Sequence, residues 1–137
     1  MPANTKSTCK IIRQENTFEG KQALTYVNGI TAESVGATGI CMHLLTMPPG
    51  ARAKAHLHEA HETAIYVISG SASMWYGDDL AEHLIVNAGE LLYIPANTPH
   101  LPYNPSESTP CTAVLARTDP NEQESVVLLP QLDAQRR

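Results

Sequence analysis

Apolar residues in this chain fall into short runs, broken every few positions by glycine, proline or asparagine, and no stretch sustains a helical period. Strand-like runs rich in β-branched and aliphatic residues cover positions 9–13, 23–28, 39–47, 54–58, 63–69, 72–76, 82–86, 91–94, 101–103 and 111–118. Turn signals separate them: Asn28-Gly29, Pro48-Pro49-Gly50, Ser69-Gly70, Gly77-Asp78-Asp79, Asn87-Ala88-Gly89 and Pro95-Ala96-Asn97. Many short strands with Gly/Pro turns and no helix predict an all-β fold, a sandwich or barrel of the jelly-roll type. No repeat of domain size is present, so one barrel is expected. Positions 119–124 read as a polar turn. They lead into Ser125-Val126-Val127-Leu128-Leu129-Pro130, an apolar stretch that needs burial against its own barrel or a partner subunit. Positions 133–137 read as frayed.

Composition narrows the picture. The 137 residues fit a single domain, residues 1–137, large enough for a real core. With one Phe and one Trp, that core must be mostly aliphatic. The net charge of −5 and the lack of a basic run other than Arg136-Arg137 argue against nucleic acid, whose phosphates demand a concentrated positive face. No apolar run approaches the ~20 residues that span a bilayer, and the first residues lack a signal-peptide core. The expected setting is cytoplasmic, without membrane. Cys9, Cys41 and Cys111 are odd in number and widely spaced, which suits reduced, mostly buried thiols better than a disulfide framework or a structural zinc site.

The candidate chemistry lies at positions 50–70. His56, His58, Glu59, His61 and Glu62 crowd into seven positions just before a β-branched run. Imidazole and carboxylate suit divalent first-row metals. On a strand, His56-Leu57-His58 puts both rings on one face and Leu57 on the other. Residues 59–61 then make a tight return into the run at 63–69. A second segment, 89–104, starts at Gly89, runs through Leu91-Leu92-Tyr93-Ile94, stops at Pro95 and delivers His100 onto the next strand.

These two segments resemble the paired motifs of the cupin superfamily. The first motif is Gly, five residues, His-x-His, three or four residues, Glu and a closing Gly. Gly50, His56, His58, Glu62 and Gly70 follow it here. The second is Gly, five residues, Pro-x-Gly, two residues, His, three residues and Asn, matched by Gly89, Pro95, Asn97, His100 and Asn104. The resemblance implies a single-domain cupin barrel with a metal held by His56, His58, His100 and a further ligand. Asn97 replaces the usual Gly, and Asn tolerates the left-handed backbone required there.

The further ligand is open. Counted back from Gly70, the family's carboxylate falls on Thr63, and Glu62 is one residue off, which on a strand is the opposite face. A bulge that turns Glu62 inward would restore it. His61, with the parity of Thr63, would instead give an all-histidine site, and a third arrangement has three protein ligands and water. Either residue alone also suits a partner that orients a ligand imidazole.

The wider pattern resembles small bacterial cupins grouped as RmlC-like, some of them similar to metal-dependent polyketide cyclases or dioxygenases. The retained histidines argue against nucleotide-sugar epimerisation. The resemblance implies an enzyme with one divalent metal (Fe, Mn, Ni or Zn) acting on a small organic molecule by dioxygenase, cyclase or isomerase chemistry. The alternative is a non-catalytic cupin that binds or senses a small ligand. A homodimer is expected, with residues 125–132 at its interface. His43 is expected in core or at the surface, His83 in solvent, and Met42, Met47 and Met74 in the core. One of Trp75 and Tyr76 lines the cavity on this reading, and Tyr66, Tyr93 and Tyr103 are candidate hydroxyl donors.

Overall fold

In a computed structural model, residues 8–13, 17–19, 24–121 and 125–135 are described. Eleven strands and two short helices follow in chain order: β1 Thr17–Glu19, β2 Thr25–Ile30, α1 Ala32–Val35, β3 Cys41–Met47, β4 His56–His58, β5 Thr63–Ser69, β6 Ser71–Tyr76, β7 Glu82–Asn87, β8 Leu91–Ile94, β9 His100–Tyr103, β10 Cys111–Arg117, β11 Val126–Leu128 and α2 Pro130–Gln135. They form two antiparallel sheets, ordered β1-β2-β3-β10-β5-β8 and β11-β4-β9-β6-β7. Strands next to each other in sequence often lie in different sheets, the crossing connectivity of a jelly roll. The expected all-β architecture is therefore present.

Period-two burial builds the interior. On β3 the odd positions Cys41, His43, Leu45 and Met47 are buried, and on β10 Cys111, Ala113, Leu115 and Arg117 are. Together with Leu24, Tyr26, Val67 and Val86 most of these form the core between the sheets. As composition demanded, it is aliphatic, with Tyr26 as its large aromatic member. A second cluster, Ala55, Leu80 and Leu101, packs under Trp75, Leu129 and Leu132.

Several expectations change in detail. Residues 9–13 form no strand. Asn28-Gly29 is not a turn but lies inside β2, where the pairing with β3 slips between Val27 and Ile30. A side chain at Gly29 would overlap the Met42 carbonyl, so the glycine serves close backbone approach at a bulge. At Gly70 the turn does need a positive φ, 74°, and the Pro110 carbonyl leaves no space for a Cβ. The helices are too short to leave a period in the sequence, so the pattern of apolar positions does not signal them. In α1, Thr31 and Ser34 form a reciprocal capping box. Residue 23 of the second predicted strand, residues 122–124 of the polar turn and residues 136–137 of the tail lie outside the described residues.

The apolar tail packs along the edge of its own barrel, with Val126 buried and Val127 and Leu128 exposed. β11 pairs with β4, setting Val126 opposite His58 and Leu128 opposite His56. From α2, the Asp133 carboxylate accepts from Arg52 at 3.1 Å and from the Ala55 amide at 3.0 Å. The tail thus clamps the edge of the strand that carries the two histidines. A second brace is Asn104, fully buried, whose Nδ2 donates to the carbonyls of Met47, Pro48 and Thr109 while Oδ1 accepts from the Ser106 amide. The last residue of the second motif is therefore a structural pin between three loops.

Candidate metal centre

His56 and His58 emerge from β4 on one face, both buried, while Leu57 turns away. β9 pairs antiparallel with β4 and places His100, also buried, opposite His56. The ring centroids lie 5.1 Å apart for His56 and His58, 4.3 Å for His56 and His100, and 5.3 Å for His58 and His100. One nitrogen from each ring falls within 4.8 Å of the others, close enough for all three to hold one metal ion.

Backbone carbonyls set the rings. His56 Nδ1 lies 2.6 Å from the Lys54 carbonyl and His100 Nδ1 lies 2.9 Å from the Thr98 carbonyl. A carbonyl only accepts, so each ring carries its proton on Nδ1 and keeps the Nε2 lone pair for a metal. Burial holds His56 well below the ordinary imidazole value, and the neighbouring His100 and His58 lower it further. Burial likewise takes His100 down to about 4, with Arg117 adding to the effect. Both rings are neutral near pH 7, the form that ligates.

Asn97 joins the two motifs. It adopts the anticipated left-handed backbone, φ 60°. Its amide donates to the His58 carbonyl at 3.1 Å, and its Oδ1 accepts from the Ala60 amide at 2.8 Å. The turn before His100 is thereby fastened to the turn after His58. The backbone requirement is readable in the sequence; this side-chain role is not.

Glu62 and His61 do not join the three imidazoles among the described residues. Thr63 is buried and pairs in unbroken register with Ile94 and Arg117, so no bulge turns Glu62 inward. Glu62 is exposed and accepts a 2.8 Å hydrogen bond from the Tyr93 hydroxyl, holding that phenol above its ordinary value. His61 sits in the turn between β4 and β5, where Ala60 takes a left-handed φ of 63° and breaks the parity assumed for a strand. Its ring faces Thr118 and Asp119, with Nε2 3.8 Å from the Asp119 carboxylate.

Beside the imidazoles lies an apolar chamber of about 60 Å³, walled by residues such as Tyr26, Leu45, Val67 and Leu115 and reached by His56, His100 and Arg117. Met47 and Met74 contribute to its wall. Trp75 and Tyr76 do not: Trp75 packs in the second cluster. Tyr66 and Tyr93 are exposed on the outer sheet face, and Tyr103 bonds the exposed His83, so the tyrosine of the chamber is Tyr26. His43 is buried beside the Tyr26 ring and accepts from the Gly29 amide at 3.4 Å. Cys41 and Cys111 are buried and Cys9 is exposed, none of the three in a disulfide, and burial pushes the Cys111 thiol up.

Residues 43–116, more than half of the chain, match the family described as Cupin domain. The chain belongs to the cupin superfamily. A 53-residue stretch of this cupin is 36% identical to quercetin 2,3-dioxygenase of Bacillus subtilis, and it spans 15% of that enzyme and 39% of the present chain. A double-stranded β-helix protein of Klebsiella pneumoniae, uncharacterised, matches 75% of the chain over 83% of its own, with 17% identity and a TM-score of 0.60. Lactobacillus farciminis oxalate decarboxylase, in a formate complex, matches 89% of the chain over 36% of its own, with 20% identity and a TM-score of 0.70. At such identities the structural likeness speaks for the fold alone. No helix among the described residues is long and apolar enough to cross a membrane.

The depressed imidazoles make metal-free protein acid-sensitive. Below about pH 6.5 unfolded histidines take up protons that the buried rings refuse, so the unfolded state binds more protons and gains on the native one. Stability measured by denaturant titration of metal-free cupin is expected to fall as pH drops from about 6.5 toward the His100 value of about 4. A flat profile over that window contradicts the burial of neutral imidazoles.

Proposed function

We propose that this cupin is a metal-dependent enzyme acting on a small organic molecule in its barrel chamber. The carrying observation is the convergence of three buried imidazoles, two of which, His56 and His100, line an apolar cavity. The ligand set proposed is His56, His58 and His100, without Glu62 or His61. Of Fe, Mn, Ni and Zn, an all-imidazole set favours Zn, Ni or Fe, since carboxylate ligands suit Mn better.

A divalent ion so held, with positions left open, supplies Lewis-acid polarisation or dioxygen activation. The chain's own residues do the rest. Lys54 and Thr98 carbonyls keep the rings oriented, the aliphatic wall limits water, and the chamber restricts what enters. The partial likeness to a dioxygenase supports oxygenase chemistry alongside the cyclase and isomerase options. Nothing in the site favours a nucleotide-sugar substrate, which is far larger than the chamber.

Elemental analysis of protein purified without chelator is expected to find close to one first-row metal per chain. The His56→Ala/His58→Ala variant is expected to lose that metal and, with it, turnover in a screen of small carbonyl and phenolic compounds. A variant that keeps its metal removes the ligand assignment, and one that loses metal with activity intact removes metal dependence. Tight binding of a screened compound without turnover in the metal-loaded protein would instead favour the binding or sensing role.

A homodimer is proposed as well, with the outer face of the larger sheet as its apolar contact surface. The outer face of β3, β10, β5 and β8 lines up Met42, Ala116, Ala64 and Tyr93 in one row and Leu44, Val114, Tyr66 and Leu91 in the next. Tyr66, Ile68, Leu91 and Tyr93 are all well exposed there, an apolar patch of the kind that monomers rarely leave open. A second copy packing face to face would cover it isologously. Light scattering is expected to return twice the chain mass, and Tyr66→Lys to return the monomer. A monomeric wild-type protein contradicts the dimer.

A further inference from the structure

Lys54 and Ala55 share a peptide unit that is held at both ends. Its carbonyl, on Lys54, accepts from His56 Nδ1 at 2.6 Å, and its N–H, on Ala55, donates to Asp133 Oδ1 at 3.0 Å. This peptide is trans, hence rigid and planar with N–H and C=O pointing opposite ways. A carboxylate that holds the N–H therefore aims the carbonyl. The aimed carbonyl keeps the His56 proton on Nδ1 and leaves Nε2 as the ligating atom. Burial, His100, His58 and Arg117 all lower the basicity of this ring, and the Lys54 carbonyl alone raises it.

Asp133 is itself fixed. Arg52 Nη2 donates to its carboxylate at 3.1 Å and to its backbone carbonyl at 2.7 Å. The Leu129 amide donates to the Ala55 carbonyl at 2.9 Å, and Leu129 and Leu132 pack on the cluster that contains Ala55. β4 meets β9 at one register position, His56 with His100, and meets β11 at three. The setting of His56 thus depends on a residue 78 positions along the chain from Ala55. His100 is set differently. Its ring bonds the Thr98 carbonyl, and the peptide that carries this carbonyl ends on Pro99, which has no N–H to hold.

We propose that Asp133 is a positioning residue of the metal centre, fixing the His56 ring through the Lys54–Ala55 peptide and so coupling the docking of α2 to metal affinity. This rests on the metal-centre reading and adds to it a carboxylate that never touches the ion. Hydrogen bonds in such a chain polarise one another, and a partner behind a ligating histidine is worth about 10- to 100-fold in metal affinity.

The test measures zinc affinity by chelator competition on the full chain, and histidine tautomers by nitrogen NMR on the metal-free protein at neutral pH. Asp133→Ala is expected to weaken zinc at least about tenfold. Asp133→Asn, whose side-chain oxygen still accepts from the Ala55 amide, is expected to recover most of that loss. In metal-free Asp133→Ala the Nδ1–H form of His56 is expected to give way to a mixture of tautomers, while His100 keeps its own. A loosened fold would disturb both rings alike, so this contrast isolates the link from Asp133. If Asp133→Ala does not fold, amide exchange in the wild-type protein decides: by reciprocity, zinc loading is expected to slow exchange at Ala55. Unchanged zinc affinity in folded Asp133→Ala, no recovery in Asp133→Asn, equal disturbance of His56 and His100, or zinc-independent exchange at Ala55 overturns the proposal. Failure of the wild-type protein to take up zinc removes the metal-centre reading instead, and the tautomer contrast then judges the link between Asp133 and His56 by itself.

Discussion

The antiparallel pairing of β4 with β9 is the constraint on which the site depends. It sets His100 across from His56, and the alternation of β4 adds His58 on the same face. Each strand is short, so the pairing needs support from outside itself. β11 closes the free edge of β4, Asp133 holds the Ala55 amide just before it, and Asn97 fastens the two turns. Every one of these braces acts on backbone, which is why three imidazoles can be buried together without relying on one another.

The same alternation explains what is missing. A strand offers every second residue to the interior, and β5 enters its register at Thr63. Glu62 is consequently a surface carboxylate occupied by Tyr93, and a hydroxyl takes the inward place. Thr63 is in turn held by Arg117. One step of register thus puts a hydroxyl, held by Arg117, in the inward place and leaves the carboxylate outside.

Much of this is legible in the residues. Continuous apolar runs bounded by turn residues locate β5 and β8 to the residue, although the run at 91–94, which reads as a buried strand, leaves Leu91 and Tyr93 exposed. The His-x-His pair and His100 can be grouped only because two motifs fix the barrel around them. The out-of-register position of Glu62 is also visible by counting from Gly70. Other features depend on tertiary contact and leave no local mark. Asn28-Gly29 carries the composition of a turn, yet sits at a bulge beside the Met42 carbonyl. His61 has strand parity in the sequence and loses it to the left-handed Ala60. Arg117 ends an apolar alternation, a signal present in the sequence, but only the folded barrel shows that this inward position opens on the histidines.

The central claim is that the ion sees three imidazoles and no protein carboxylate. X-ray absorption at the metal edge of the loaded protein measures that ligand shell directly. Three imidazole nitrogens are expected, recognisable by the multiple scattering of their rings, with the remaining positions filled by exchangeable light atoms. A fourth imidazole, or a carboxylate that persists in the washed protein and disappears in Glu62→Gln, would contradict it.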